Sequence, residues 1–184
     1  MIRREYAEHE PEFDLALATG LRRGSMYRDL MWQNVDLLRR IAVIPKTKNG
    51  NSVTVALNAD AMRALIIFRS RGDGTGRVVR NAAGEPLNTN AHWFRPAVRA
   101  AGIRHLTWHS LRHCFASRLR QKGIDLGTIA ELLGHSARSG FAMTKRYSKL
   151  STENLHQAVA VLETTKPQEG PAPVAERQSQ PSVN

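Results

Sequence analysis

Apolar positions along most of this chain return every three to four residues, the spacing of one face of an α-helix. Phe13, Leu15, Leu17 and Ala18 give a short helix over Glu12–Ala18, which Gly20 interrupts. A second helix is expected from about Arg23 to Leu30, with Met26, Leu30 and Met31 turned to the core. The pattern then changes. β-branched residues mark Leu38–Ile44 and Ser52–Leu57 as strands, and the Asn49-Gly50 pair between them is a hairpin signal. Asn58 is placed to cap a helix running to Arg71, with Met62, Leu65, Ile66 and Phe68 on its apolar side.

The glycine-rich run Gly72-Asp73-Gly74-Thr75-Gly76 fits neither the P-loop nor the dinucleotide-binding spacing, and is expected to be a plain loop. Asn90–Ala101 reads as a helix carrying Trp93, Phe94, Val98 and Ala101, with Pro96 in its first turn. Ser110–Lys122 follows, closed by Gly123. Asp125 caps Leu126–Leu133, closed by Gly134. A helix or tight turn carries Phe141–Tyr147, and Ser151 caps a last amphipathic helix to Leu162, with Leu155, Val159 and Leu162 on one side. Beyond Lys166 stand four of the chain's eight prolines and almost no large apolar residue, the composition of a disordered tail over residues 166–184.

Charge adds a partner class. Lys and Arg outnumber Asp and Glu by 27 to 16, a formal net charge of +11. In the tail, Lys166 and Arg177 cancel Glu169 and Glu176, so the whole excess sits on residues 1–165. Such a surface attracts polyanions, and nucleic acid is the first candidate because neutralising phosphates releases counterions. The length and a hydrophobic content of 41% suit one substantial core. No apolar run is long enough to span a bilayer, no lysine-rich amphipathic helix suits a membrane surface, and MIRREYAEHE lacks the apolar segment of a signal peptide. The single Cys114 forbids an internal disulfide and is expected to be a packing residue. The expected compartment is the cytoplasm.

Chemistry-bearing side chains concentrate between Thr107 and Leu150: His109, Arg112, His113, His135, Arg146 and Tyr147. His109, Arg112 and His113 share one edge of a helix, while Leu111, Phe115 and Leu119 point elsewhere, toward a core. A guanidinium there offers a planar fork of donors for two phosphate oxygens. His105, His109 and His113 also recur every fourth residue, but HSLRH has Ser110 where a zinc HExxH has its glutamate base. Arg112 would repel a cation as well, so no metal site is expected.

The ordered set His109-Ser110-Leu111-Arg112-His113, Leu132-Leu133-Gly134-His135, Arg146-Tyr147 resembles the second catalytic box of the tyrosine recombinase (phage integrase) family. Upstream, Ala18-Thr19-Gly20-Leu21-Arg22-Arg23-Gly24, followed by Trp32–Leu37, resembles the first box, and Thr47-Lys48-Asn49-Gly50 resembles the hairpin that carries the family's lysine. The resemblance implies an α+β, mainly α fold: the tyrosine recombinase catalytic domain, helices with a small antiparallel β-hairpin or sheet. That domain would occupy residues 1–165, with the family's N-terminal core-binding domain absent. The implied activity is site-specific DNA recombination or integration, by strand cleavage and rejoining through a 3′-phosphotyrosine. Tyr147 would be the nucleophile. Arg22 and Arg112 would clamp the phosphate, with Arg23 the alternative to Arg22. Lys48 would protonate the leaving 5′-oxygen, with Lys46 as fallback, and His109 and His135 would bond the phosphate and assist proton movement. No metal or nucleotide cofactor is implied. The implied partner is double-stranded DNA, and the working unit a homo-tetramer on two duplexes, with the Ser151–Leu162 helix packing onto a neighbour. The chain departs from the family at Ser25, where an acidic residue is usual, and in a longer His135–Tyr147 segment. A non-catalytic DNA-binding module is the competing reading.

Overall fold

The computed structural model of the 184-residue chain describes residues 6–45, 52–88 and 91–135. The hairpin tip, the elements expected at 141–147 and 151–162, and the tail lie outside them. In chain order the elements are α1 (Glu10–Thr19), β1 (Val35–Asp36), β2 (Ile41–Ile44), β3 (Val53–Ala56), α2 (Ala59–Ser70), α3 (Phe94–Ala100), α4 (Trp108–Gln121) and α5 (Leu126–Leu132). The strands form one antiparallel sheet in the order β1-β2-β3, with Val35 opposite Ala42 and Ile44 opposite Val53. Ala42, Ile44, Val53 and Val55 turn inward from alternate positions, so only one face of the sheet meets the core. Helix α1 packs on both α2 and α4, and α5 lies against β3. This is the α+β, mainly α arrangement the resemblance implies. No helix among the described residues is long and apolar enough to cross a membrane.

Several expectations are corrected by local physics. Leu38 does not begin a strand: it is 97% exposed in a turn where Asp36 Oδ1 accepts from the Arg39 amide at 2.9 Å and Arg40 takes φ 54°. The side-chain-to-backbone bond decides that turn over the apolar residue beside it. On α2 the buried stripe is Ala61, Ala64, Leu65 and Phe68, with Asn58 capping through the Ala61 amide at 2.9 Å. Ile66 is off that stripe and 58% exposed. The helix expected from about Arg23 is present through Asp29, but from Ser25 it takes a wide form, closed by the Leu30 amide on the Ser25 carbonyl at 2.9 Å. Tyr27 from that turn is core, whereas Met31 is half-buried and pairs with Arg77. Helix α3 begins at Phe94 rather than Asn90. Cys114 is exposed rather than packed.

The most consequential buried polar group was not foreseen. Glu12, only 1% exposed, accepts from the Tyr27 hydroxyl, from Trp93 Nε1 at 3.1 Å, and bonds His9 Nδ1 at 2.7 Å. His9 stacks flat on Trp93, 4.7 Å between ring centres. One carboxylate thus ties α1 to the 25–29 turn and to the approach to α3. Burial, and then the Glu12 charge, push the Tyr27 phenol far above its usual range. Glu12→Gln replaces one acceptor oxygen with an amide that can only donate, opposing the donors already there. The expected cost is about 1–3 kcal/mol, read as a lower urea midpoint with an unchanged m-value. An unchanged midpoint would show the network contributes nothing net.

Candidate active site

Arg112 sits on α4, which starts two residues earlier than its apolar pattern suggests. Thr107 and Ser110 form a reciprocal cap, Thr107 N to Ser110 Oγ at 3.0 Å and Ser110 N to Thr107 Oγ1 at 3.3 Å. Ser110, which stands where a zinc motif has its base, is therefore a helix-starting residue. His105 precedes the helix at φ 60°, so His105 does not continue the His109–His113 face.

Arg112 is 5% exposed. Its Nη1 donates to the Gly20 carbonyl at 2.9 Å and its Nη2 to the Leu133 carbonyl. The two acceptors are the backbone just before Leu21-Arg22 and just before Gly134-His135, so one guanidinium ties together the two segments that carry the other site residues. Both junctions demand glycine. Gly20 closes α1 at φ 63°, and a Cβ there would lie 2.6 Å from a ring carbon of Phe115. Gly134 follows α5 at φ 59°, and its Cβ would meet Val53 Cγ2 at 2.2 Å. The turn at Gly134 lets the His135 amide bond the Ala130 carbonyl at 2.9 Å, which fixes where the imidazole starts.

His135 is half-buried, and its pKa is lowered to about 4. Burial is the largest cause, followed by the positive charges of Arg112 and Arg22 and by His109. Four of the six expected residues are therefore electrostatically in touch. His109 is exposed at the start of α4, its ring edge-on to His113 at 4.5 Å. Lys48 and Tyr147 lie outside the described residues.

A cleft of about 760 Å³ opens over Arg22, His109 and Arg112, while His135 lines a separate hollow of about 390 Å³ against β3. Arg22, Arg23, His109 and Arg112 line it, joined by His92 and Arg95, and no Asp or Glu is among its lining residues. Buried Trp108 and Phe94 form part of its wall. Arg22 is half-buried and acts on His135; Arg23 is exposed at the rim. His92 and Arg95 were invisible in the sequence, where an arginine on the polar side of a helix looks like any solvated charge. A larger hollow of about 880 Å³ beside β1 contains none of the expected residues.

The depressed His135 pKa has a measurable consequence. Between about pH 6.5, where an unfolded histidine titrates, and about 4, where the folded one does, the unfolded chain binds the extra proton. Stability is therefore expected to fall as pH drops through that window and to level off below it. Denaturation midpoints at pH 7 and pH 5 measure the loss, and His135→Asn should shrink it. An equal loss in the variant would assign it to other groups.

The model of the phage integrase family matches residues 3–154. The integrase of Salmonella phage P22 is 31% identical over 175 residues, covering 84% of this chain and 43% of that protein. Tyrosine recombinase XerA of Thermococcus kodakarensis is 32% identical over 138 residues, 71% of this chain and 47% of that one. The chain thus spans a little under half the length of these two relatives. Among solved structures, the Tn1549 transposon integrase in complex with circular intermediate DNA superposes with a TM-score of 0.70 at 19% identity, over 86% of this chain and 61% of that one. A crystal structure of XerA recombinase gives 0.67 at 22% identity over 90% and 60%. With the boxes in order, the fold matched and the paired arginines in one cleft, the chain belongs to the phage integrase family.

Proposed function

We propose that residues 1–165 are the catalytic domain of a site-specific DNA recombinase or integrase, which cuts and rejoins duplex DNA through a 3′-phosphotyrosine at Tyr147. The observation that carries this is the acid-free cleft that gathers Arg22, Arg112 and His109, whose charges also reach His135 in the adjoining hollow. Two guanidiniums supply preorganised positive charge where a phosphate in transfer gains negative charge. His135, held neutral at physiological pH, can exchange hydrogen-bond roles with the phosphate or pass a proton without adding charge.

In the proposed cycle the Tyr147 oxygen bonds to phosphorus and the bond from phosphorus to the 5′-oxygen breaks. The phenol proton passes to a histidine of the pair His109 and His135, and Lys48 gives a proton to the departing oxygen. The phosphotyrosine conserves the bond energy, so a different 5′-hydroxyl can reverse the steps and join new strands. The reading needs no cofactor. It places the protein in the cytoplasm, on double-stranded DNA, with a tetramer across two duplexes as the working unit.

The test is covalent capture. Wild-type protein on a nicked suicide duplex should give a protein–DNA adduct that survives a denaturing gel. Protein that shifts the duplex in a native gel but never yields the adduct would overturn catalysis and leave the non-catalytic binding module.

A further inference from the structure

The cleft is larger than the catalytic set requires. Arg22, Arg112 and His109 account for one phosphate, yet the same cleft of about 760 Å³ continues to Arg23, His92 and Arg95. Depth divides the arginines of the two groups. Arg112 is buried and Arg22 half-buried, whereas Arg23, His92 and Arg95 are exposed. Several other cations of the described chain are already engaged. Arg71 and Arg80 hold backbone carbonyls, Arg63 and Arg39 face aspartates, and Arg69 lies over Trp32. Arg23 and Arg95 have no hydrogen bond or ion pair among the described residues, and no acidic side chain shares their cleft. Two exposed guanidiniums held in one acid-free concavity repel one another in the empty protein, and an anion between them removes that repulsion.

We propose that Arg23 and Arg95 form a second phosphate subsite at the mouth of the cleft, which takes the phosphodiester next to the cleaved one on the same DNA strand. This inference rests on the DNA-cleaving reading of the inner site and adds to it a register. With one phosphate at Arg22 and Arg112 and the next at Arg23 and Arg95, the strand can sit in the cleft only with its cleavable bond at the inner end. Arg23, an alternative clamp in the sequence, then has a position of its own. His92 lies on the same outer wall and is available to the sugar or phosphate oxygens.

The experiment is duplex binding against salt for the wild type, Arg23→Ala, Arg95→Ala and the double variant. Both residues are exposed, so melting temperatures should match the wild type and confirm folding. Each substitution should lower the slope of log K on log salt by about 0.9 and weaken binding about 8-fold at roughly 0.1 M salt, the effect of one lost phosphate contact. Arg95→Lys should restore the slope. A second arm replaces single phosphates by neutral methylphosphonates. Neutralising the phosphate beside the cleavage site should cost the wild type affinity but cost the double variant little, because the partners are already gone. If wild type and variants share one salt slope, or lose equally to that methylphosphonate, the subsite is overturned while the inner site stands. If the wild type has no affinity for duplex DNA, the subsite and the function beneath it fall together.

Discussion

Tyr147→Phe is expected to abolish the covalent protein–DNA adduct entirely. The chain has three tyrosines, and the other two cannot replace it. Tyr27 is 1% exposed, donates its hydroxyl to Glu12, and has a phenol whose proton is held far more tightly than usual. Tyr6 is half-buried and packs on the main core at the opposite end of α1 from Gly20, whose carbonyl holds Arg112. A free phenol with a pKa near 10 is a poor nucleophile at neutral pH. Only a phenol brought beside several cations and a proton acceptor gains enough phenolate character to attack. The described cations that meet this need surround the cleft of Arg22 and Arg112. A denaturing gel on a nicked suicide duplex measures the adduct, and peptide mapping of the wild-type adduct should place it on Tyr147. Adduct formed by Tyr147→Phe would refute the assigned nucleophile.

The parts of the molecule that the sequence made legible are those where one residue type has one physical use. Asn58 and Asp125 cap α2 and α5 through the amides of Ala61 and Thr128, as their positions implied. The β-branched runs pair as antiparallel strands, with Ala42 through Ile44 opposite Val55 through Val53. Gly20 and Gly134 end helices with left-handed backbone. The elements that were misread depend on partners distant in sequence. Glu12 looks like an exposed helix charge until Trp93, 81 positions away, and Tyr27 are folded onto it. The 25–29 turn takes its wide form while Tyr27 reaches Glu12, and helix propensity carries no trace of that contact. The site divides the same way. Its residue types could be placed by the order of the boxes, but not the manner in which Arg112 is held. A guanidinium bonded to two carbonyls 92 and 21 positions away leaves no local pattern.

Arg112→Ala should therefore act on two levels. Removing the guanidinium takes away one of the two charges proposed to face the transferring phosphate. Losses of about 10²–10³ in cleavage rate accompany removal of one such preorganised donor. It also leaves the Gly20 and Leu133 carbonyls without the donor that joined them, at a cost of about 1–3 kcal/mol for each group left buried and unsatisfied. Arg112→Lys separates the two effects. An ammonium keeps the charge, but it lacks the fork that reaches Gly20 and Leu133 in one plane, so stability should recover only in part and the rate should stay low. The variants differ at His135 as well. In Arg112→Ala the second-largest cause of its lowered pKa is gone, so an NMR titration should find the imidazole above its wild-type value of about 4, yet below 6.5 because burial persists. In Arg112→Lys a positive charge remains and the shift should be smaller. A His135 titration identical in all three proteins would mean that Arg112 and His135 do not share a site, and the case for a single phosphate held between them would fail.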